Sequence, residues 1–252
     1  MLSIWPNPIT FIVAISLIGA RQLGLAILLH DCAHFALFSK PNLNNFIGHY
    51  ICGSVVNQSV FQYREYHTKH HIHTGTANDP DLSLVAAYPV KANSLKRKLL
   101  RDITGITGVK FLVNDIRSFK ATNLRWVVFH LLLLSLFIVI GQVWLYAVWW
   151  ASTLFIYPLV ARLRHIGEHG TVTQRGAKDV RLNTNTTIVP FWQRCLIAPN
   201  YVNYHTEHHL SPGIPPYRLA EMHKLLSERG FYDGQGCIRR GYGEVLKHAV
   251  VK

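Results

Sequence analysis

Acidic residues are scarce in this chain. Its 252 residues include 13 Asp and Glu, fewer than its 15 histidines. Charge of either sign is low at 15%, whereas a soluble domain carries about 25%, and the hydrophobic share is 49%. That balance argues against an ordinary soluble fold and for a membrane protein. Cysteine is limited to Cys32, Cys52, Cys195 and Cys237, with no C-x-x-C pair. This excludes a disulfide scaffold and a zinc ribbon, and points to free thiols in a reducing compartment. No basic n-region precedes the first apolar stretch, so no signal peptide is expected. The formal charge of +13 lies in Lys and Arg that flank apolar runs. With no recognised nucleic-acid motif or basic recognition helix, a nucleic-acid partner is excluded. Lys and Arg at the ends of apolar segments mark the cytoplasmic side of a bilayer instead.

The longest apolar run is Trp126 to Ala161, without a single Asp, Glu, Lys or Arg. One span takes about 20 residues, so this run predicts two helices, over 125–141 and 143–161, turning at Gly141-Gln142. Arg125 guards one end, and Arg162 with Arg164 the other. A third span is predicted over 9–29, although Arg21 interrupts it. The stretch 41–66, rich in Asn, Gln and Gly, predicts an interfacial helix. The stretch 91–120 alternates basic and apolar residues and predicts a helix against lipid headgroups. The fold class is therefore an all-α integral membrane protein forming one domain over 1–252. It has about three spans, with cytoplasmic regions at 30–124 and 162–252.

Histidines cluster where the apolar segments end. "HDCAH" places His30 and His34 one helical turn apart; "HTKHH" offers His67, His70 and His71; "HTEHH" offers His205, His208 and His209; "RHIGEH" adds His165 and His169. Each helix is expected to present its set toward one side. Zinc takes three or four protein ligands, so eight to ten imidazoles exceed one ion and imply a dinuclear site. Imidazole suits zinc, copper and iron alike, and these residues alone do not separate them. The Glu and Glu-x-x-His pattern of soluble di-iron bundles is absent. Asp31, Glu65, Asp79, Asp81, Glu168 and Glu207 adjoin the histidines and are expected to accept the second ring N–H of the ligands. His130, inside a predicted span, is read as a packed residue.

As a set, "HDCAH" (30–34), "HTKHH" (67–71), "RLRHIGEHG" (162–170) and "NYHTEHH" (203–209) resemble the membrane-bound fatty acid desaturase family. The order matches too: a span, two boxes, a two-helix hairpin, then the third box. "NDPDLSL" and "IAPNYVNYHTEHHLSPGIPPYRLAEMHKLL" look like its bacterial acyl-lipid branch. The resemblance implies an O2-dependent desaturase with two iron ions on the cytoplasmic side of a multi-pass membrane protein. The implied ligands are His30, His34, His67, His70, His71, His169, His205, His208 and His209. His165 is a tenth candidate, since relatives often carry Asn there and a His can bind iron directly. The implied substrate is the acyl chain of a lipid, reached from the membrane, with electrons from a separate donor such as ferredoxin or cytochrome b5. The family usually has a further helix before the one entering the first box, so this chain reads as a short form. The nearest rival activity is hydroxylation or ketolation of a carotenoid, sphingolipid or alkane. A metal transporter is a remote rival, because transport sites lie near the bilayer midplane.

Overall fold

The computed structural model describes residues 4–251. Its longest helix, α1 (Pro8–Ala33), begins where the sequence supplies a complete N-terminal cap. The Asn7 side chain accepts from the N–H of Ile9 and Thr10, both at 3.0 Å, the Thr10 hydroxyl accepts from the Asn7 N–H at 3.1 Å, and Pro8 occupies the first turn. The first half of α1 leaves Ile9, Ile12 and Leu17 exposed. The second half buries Leu23, Ile27 and Leu29. Gly24 and Gly19 admit close neighbours there; a Cβ on Gly19 would lie 2.6 Å from Ile156. Arg21 turns outward and donates to the Cys195 carbonyl, which gives a charge in an apolar run a polar partner.

After α1 come a short helix at Pro41–Phe46 with a π-helical turn at Ile47–Cys52, then α2 (Val60–His73). Two helices, α3 (Ala92–Ile103) and α4 (Ile106–Arg117), fill the stretch read as one, because Gly105 between them takes a left-handed φ of 81°. The hairpin follows as α5 (Leu124–Val139) and α6 (Leu145–Ala151), reversing at Gly141 with φ of 68°. A π-helical turn, Ser152–Ile156, joins α6 to α7 (Tyr157–His165), and a second, Ile166–Gly170, extends α7. Pro158 explains the first turn. It has no N–H to donate, and its ring crowds the carbonyl one turn back, so the helix widens just before it.

Among the described residues two helices are long and apolar enough to cross a membrane: Pro8–Ala33, mean hydropathy 2.1, and Ala121–Val139, mean hydropathy 1.8. The third expected segment, 143–161, is helical but interrupted by the Pro158-linked turn. The remaining chain adds β1 (Thr186–Ile188), α8 (His205–Leu210), α9 (Leu219–Glu228), β2 (Ile238–Arg240) and α10 (Gly241–His248). β1 and β2 pair in parallel, Thr186 against Ile238. The main core joins Leu23 and Ile27 of α1 to Val160, Ile166, Tyr242 and Val245. It locks α1, α7 and α10 together directly beneath the histidines. All four cysteines are free.

α4 packs on the π turn Ser152–Ile156 through Gly108, where an added Cβ would stand 2.4 Å from the Leu154 carbonyl oxygen. Backbone cannot yield as a side-chain tip can. Gly108→Ala should therefore destabilise the protein by about 1–3 kcal/mol, despite the better helix propensity of Ala. Thermal unfolding in detergent would check this, and an unchanged or raised midpoint would contradict the packing.

Candidate metal centre

Nine imidazoles from four helical segments converge into two adjoining groups. The first contains His30, His34, His67, His71 and His208, and the second His70, His169, His205 and His209; within each group one ring nitrogen per residue lies within 4.8 Å of the others. The boxes do not each serve one side, as the sequence suggested; they split. On α2, His67 and His71 enter the first group and His70 the second. On α8 the division is reversed: His205 and His209 enter the second group and His208 the first. Residues four apart on a helix differ by about 40° in direction, whereas residues three and four along diverge by about 100°. The pair and the single histidine of one box thus face different centres. The two groups touch, with His71 and His209 stacked at 4.2 Å between ring centroids.

Each remaining ligand candidate has its own support. α1 ends at this point, so its last turn delivers His30 and its cap delivers His34. His169 is presented by the π turn Ile166–Gly170, whose residues are all buried. π-helical turns occur often at functional sites.

The hydrogen bonds fix which ring nitrogens carry protons. His70 Nδ1 lies 2.8 Å from Asp79 Oδ1, and His169 Nδ1 lies 3.0 Å from the Asn183 carbonyl. A carbonyl and a carboxylate only accept, so both Nδ1 atoms donate and both Nε2 atoms carry bare lone pairs. Those two Nε2 atoms face each other at 3.2 Å. His205 Nε2 stands 2.8 Å from the same His169 atom. In the first group, His71 Nε2 is 3.1 Å from His67 Nε2 and 3.2 Å from His208 Nε2. The Nε2 atoms of His30, His34 and His209 are buried with no partner. Lone pairs held face to face in a buried site call for a cation between them. Metal–nitrogen bonds of about 2.1 Å put neighbouring ligands about 3 Å apart, which matches these separations. The residues therefore fit two metal ions, with five and four nitrogens on offer.

Burial favours the neutral, metal-ready imidazoles. It lowers His71 to about 2 and His169 to about 3, with nearby histidines adding to the effect. It lowers His34 to about 4, helped by Arg64. The surrounding acids behave differently from one another. Asp31 accepts from His30 Nδ1 at 2.9 Å. Asp79 accepts from His70 and from the backbone N–H of Gly75 at 2.7 Å and Asp81 at 2.9 Å. Its burial raises its pKa, but these hydrogen bonds outweigh it and hold the carboxyl below its usual range. Asp81 stands 3.7 Å from His70 Nδ1 and accepts from the Tyr66 hydroxyl. Glu168 pairs with Arg164 at 2.6 Å and lies 3.6 Å from His205 Nδ1; burial pushes it up to about 7 against the pull of Arg164.

Two acids and one histidine are not brought in. Glu207, though inside a box, turns its carboxylate to Thr186, His223 and Tyr232. Glu65 lies on the far face of α2, exposed and paired with Lys69 at 2.9 Å, because residues 65 and 67 point about 200° apart on a helix. His165 lies in neither nitrogen group and lines the cavities beside them. Glu65→Gln should consequently leave stability within about 0.5 kcal/mol and metal content unchanged; loss of metal on elemental analysis would contradict this placement.

The sequence reading missed Arg164, the Asn183 carbonyl and the Glu207–His223–Tyr232 cluster. Arg164 carried a signal, since a cation four residues before Glu168 on a helix is a pairing pattern. A backbone acceptor such as Asn183 leaves none.

Three cavities lie in series from this centre. The innermost is bounded by His67, His70, His169 and His205. It shares Asp81, Leu84, Arg164 and His165 with a second cavity of 220 Å³, which also has Leu23, Tyr63 and Tyr157 in its wall. The second shares Val56 and Tyr157 with a third, lined by Trp126, Trp149 and Trp150.

Residues 5–240 match the family model for fatty acid desaturase. The chain is 26% identical to dihydrorhizobitoxine desaturase of Bradyrhizobium elkanii, over 84% of this chain and 66% of that protein, so it spans just under two thirds of that relative. It is 22% identical to beta-carotene ketolase of Paracoccus sp. (strain PC1), over 86% of this chain and 81% of that protein.

Proposed function

The chain belongs to the fatty acid desaturase family, and from that premise we propose that it is an O2-dependent membrane oxidoreductase that introduces a double bond into a fatty acyl chain. Family members use a di-iron site. Here the first ion would be held by His30, His34, His67, His71 and His208, and the second by His70, His169, His205 and His209. When bound, the two irons supply the oxidising power needed to take hydrogen from an unactivated C–H bond. The observation that carries the reading is the pair of bare Nε2 lone pairs, His70 and His169, at the end of the cavity series.

The chain's own residues do the rest. Asp31, Asp79 and the Asn183 carbonyl hold the imidazoles in the tautomer that turns Nε2 inward. Leu23, Leu29, Val56 and Ala161 give the middle cavity an apolar wall suited to a hydrocarbon chain. Burial of the imidazoles keeps water away from the reacting carbon. The boxes would face the cytoplasm, where an electron donor such as ferredoxin or cytochrome b5 delivers electrons.

Lipid analysis of a host expressing the protein tests the reaction. An acyl product lighter by two hydrogens, lost in His208→Ala, is the expected result. A product heavier by one oxygen would instead assign hydroxylation, and one that gains an oxygen and loses two hydrogens would assign ketolation, the activity in the Paracoccus relative's name.

A further inference from the structure

The outermost cavity is not the greasy pocket that a plain hydrocarbon end would need. Trp126, Trp149, Trp150 and Phe111 supply its apolar wall, but Gln22, Asn57, Asp115, His130 and Thr153 also line it. It is small, 80 Å³, so it takes the end of a chain and not a headgroup.

Gln22 is the informative residue. It sits on α1 within the apolar segment and is only 4% exposed. Its Nε2 donates to Thr153 Oγ1 at 2.8 Å. The Thr153 hydroxyl spends its own proton on the Trp149 carbonyl at 3.0 Å. Thr153 therefore accepts from Gln22, and the amide cannot be turned the other way round. This leaves Gln22 Oε1 as the carbonyl of the pair, buried and without a partner. A buried amide oxygen left unpaired is costly, and sites of this kind are normally completed by a ligand or a water. The other polar groups have partners of their own: Asn57 accepts from Asn123 at 2.7 Å and bonds to the Asp115 carboxylate, and His130 Nδ1 meets the Tyr146 hydroxyl at 3.0 Å. The vacant role in this wall is thus an acceptor seeking a neutral donor.

We propose that this outer chamber binds the hydroxyl-bearing end of the substrate chain, with Gln22 Oε1 accepting from that hydroxyl. The substrate class is then a hydroxyl-terminated aliphatic chain in preference to a methyl-terminated one. The inference deepens the proposed function, since the bound chain is the one running through the middle cavity toward the histidines. Its test uses metal-free protein, so that failure of the oxidative reading leaves this result interpretable.

Metal-free protein in detergent would be loaded with radiolabelled hexadecanoate and challenged with unlabelled hexadecanoate, ω-hydroxyhexadecanoate and ω-aminohexadecanoate. The hydroxyl chain should compete at least about tenfold better than the methyl-terminated one, as expected for a buried hydrogen bond. In Gln22→Leu that preference should vanish, with circular dichroism and gel filtration showing that the variant is folded. Thr153→Val, which frees the Gln22 amide to rotate, should reduce the preference without abolishing binding. Equal competition by all three chains would overturn the proposal. So would a Gln22→Leu variant that keeps the preference, or an amino chain that binds tighter than the hydroxyl chain.

Discussion

His70→Ala should lower bound iron from about two ions per chain to about one, and cut product formation at least about a hundredfold. The second nitrogen group has four members, and His70 contributes the one that opposes His169 Nε2 at 3.2 Å. Its removal leaves His169, His205 and His209, which is fewer protein ligands than the first group would retain. It also strands the buried Asp79 carboxylate, whose partner is gone, so the substitution adds a local cost beyond the lost bond. Elemental analysis reads the ion count, and circular dichroism with gel filtration shows that the helical fold persists. Retention of both ions with full activity would remove His70 from the centre. His165→Asn gives the contrast within the same experiment. His165 belongs to neither group, and the expected result is two ions retained; loss of an ion would restore it as a direct ligand.

Much of this arrangement was legible because helical spacing is a local property. The pairs 30/34, 67/71 and 205/209 had to share a face, and the uncharged run from Trp126 to Ala161 had to turn near Gly141. The division of labour between the boxes was not legible. Whether His70 joins His67 or departs from it depends on where α8, over 130 residues further along the chain, sits against α2. The two boxes then interlock, each sending a pair to one group and a single residue to the other. Adjacency in sequence also misled where helix direction decides. Glu65 stands two residues before His67 yet faces away, and Glu207 lies between two ligand candidates yet points at Tyr232. The interruption after α6 follows from one residue, Pro158, inside a run whose hydropathy alone promised a continuous helix.

The second large effect is expected at a residue that touches no metal. Asp79→Asn should weaken binding at the second group by about ten- to a hundredfold and destabilise the metal-free protein by about 1–3 kcal/mol. The carboxylate accepts three hydrogen bonds: His70 Nδ1–H and the Asp81 N–H on Oδ1, and the Gly75 N–H on Oδ2. An asparagine has one acceptor edge, so one side must now present an NH2 to a donor. The amide oxygen should settle on the side with two donors, which keeps the His70 tautomer and leaves the Gly75 N–H facing the amide nitrogen. Gly75 cannot swing aside easily, because its backbone is left-handed at φ of 72° and packs against Gly176. With the charge gone, His70 is also a less basic ligand. Asp79→Ala removes all three acceptors and should be worse on both measurements. Equal affinity in Asp79→Asn on metal titration would contradict the part given to the charge, and equal affinity in Asp79→Ala would mean that the tautomer at His70 is held by something other than this side chain. The argument from facing lone pairs would then lose its footing at that residue.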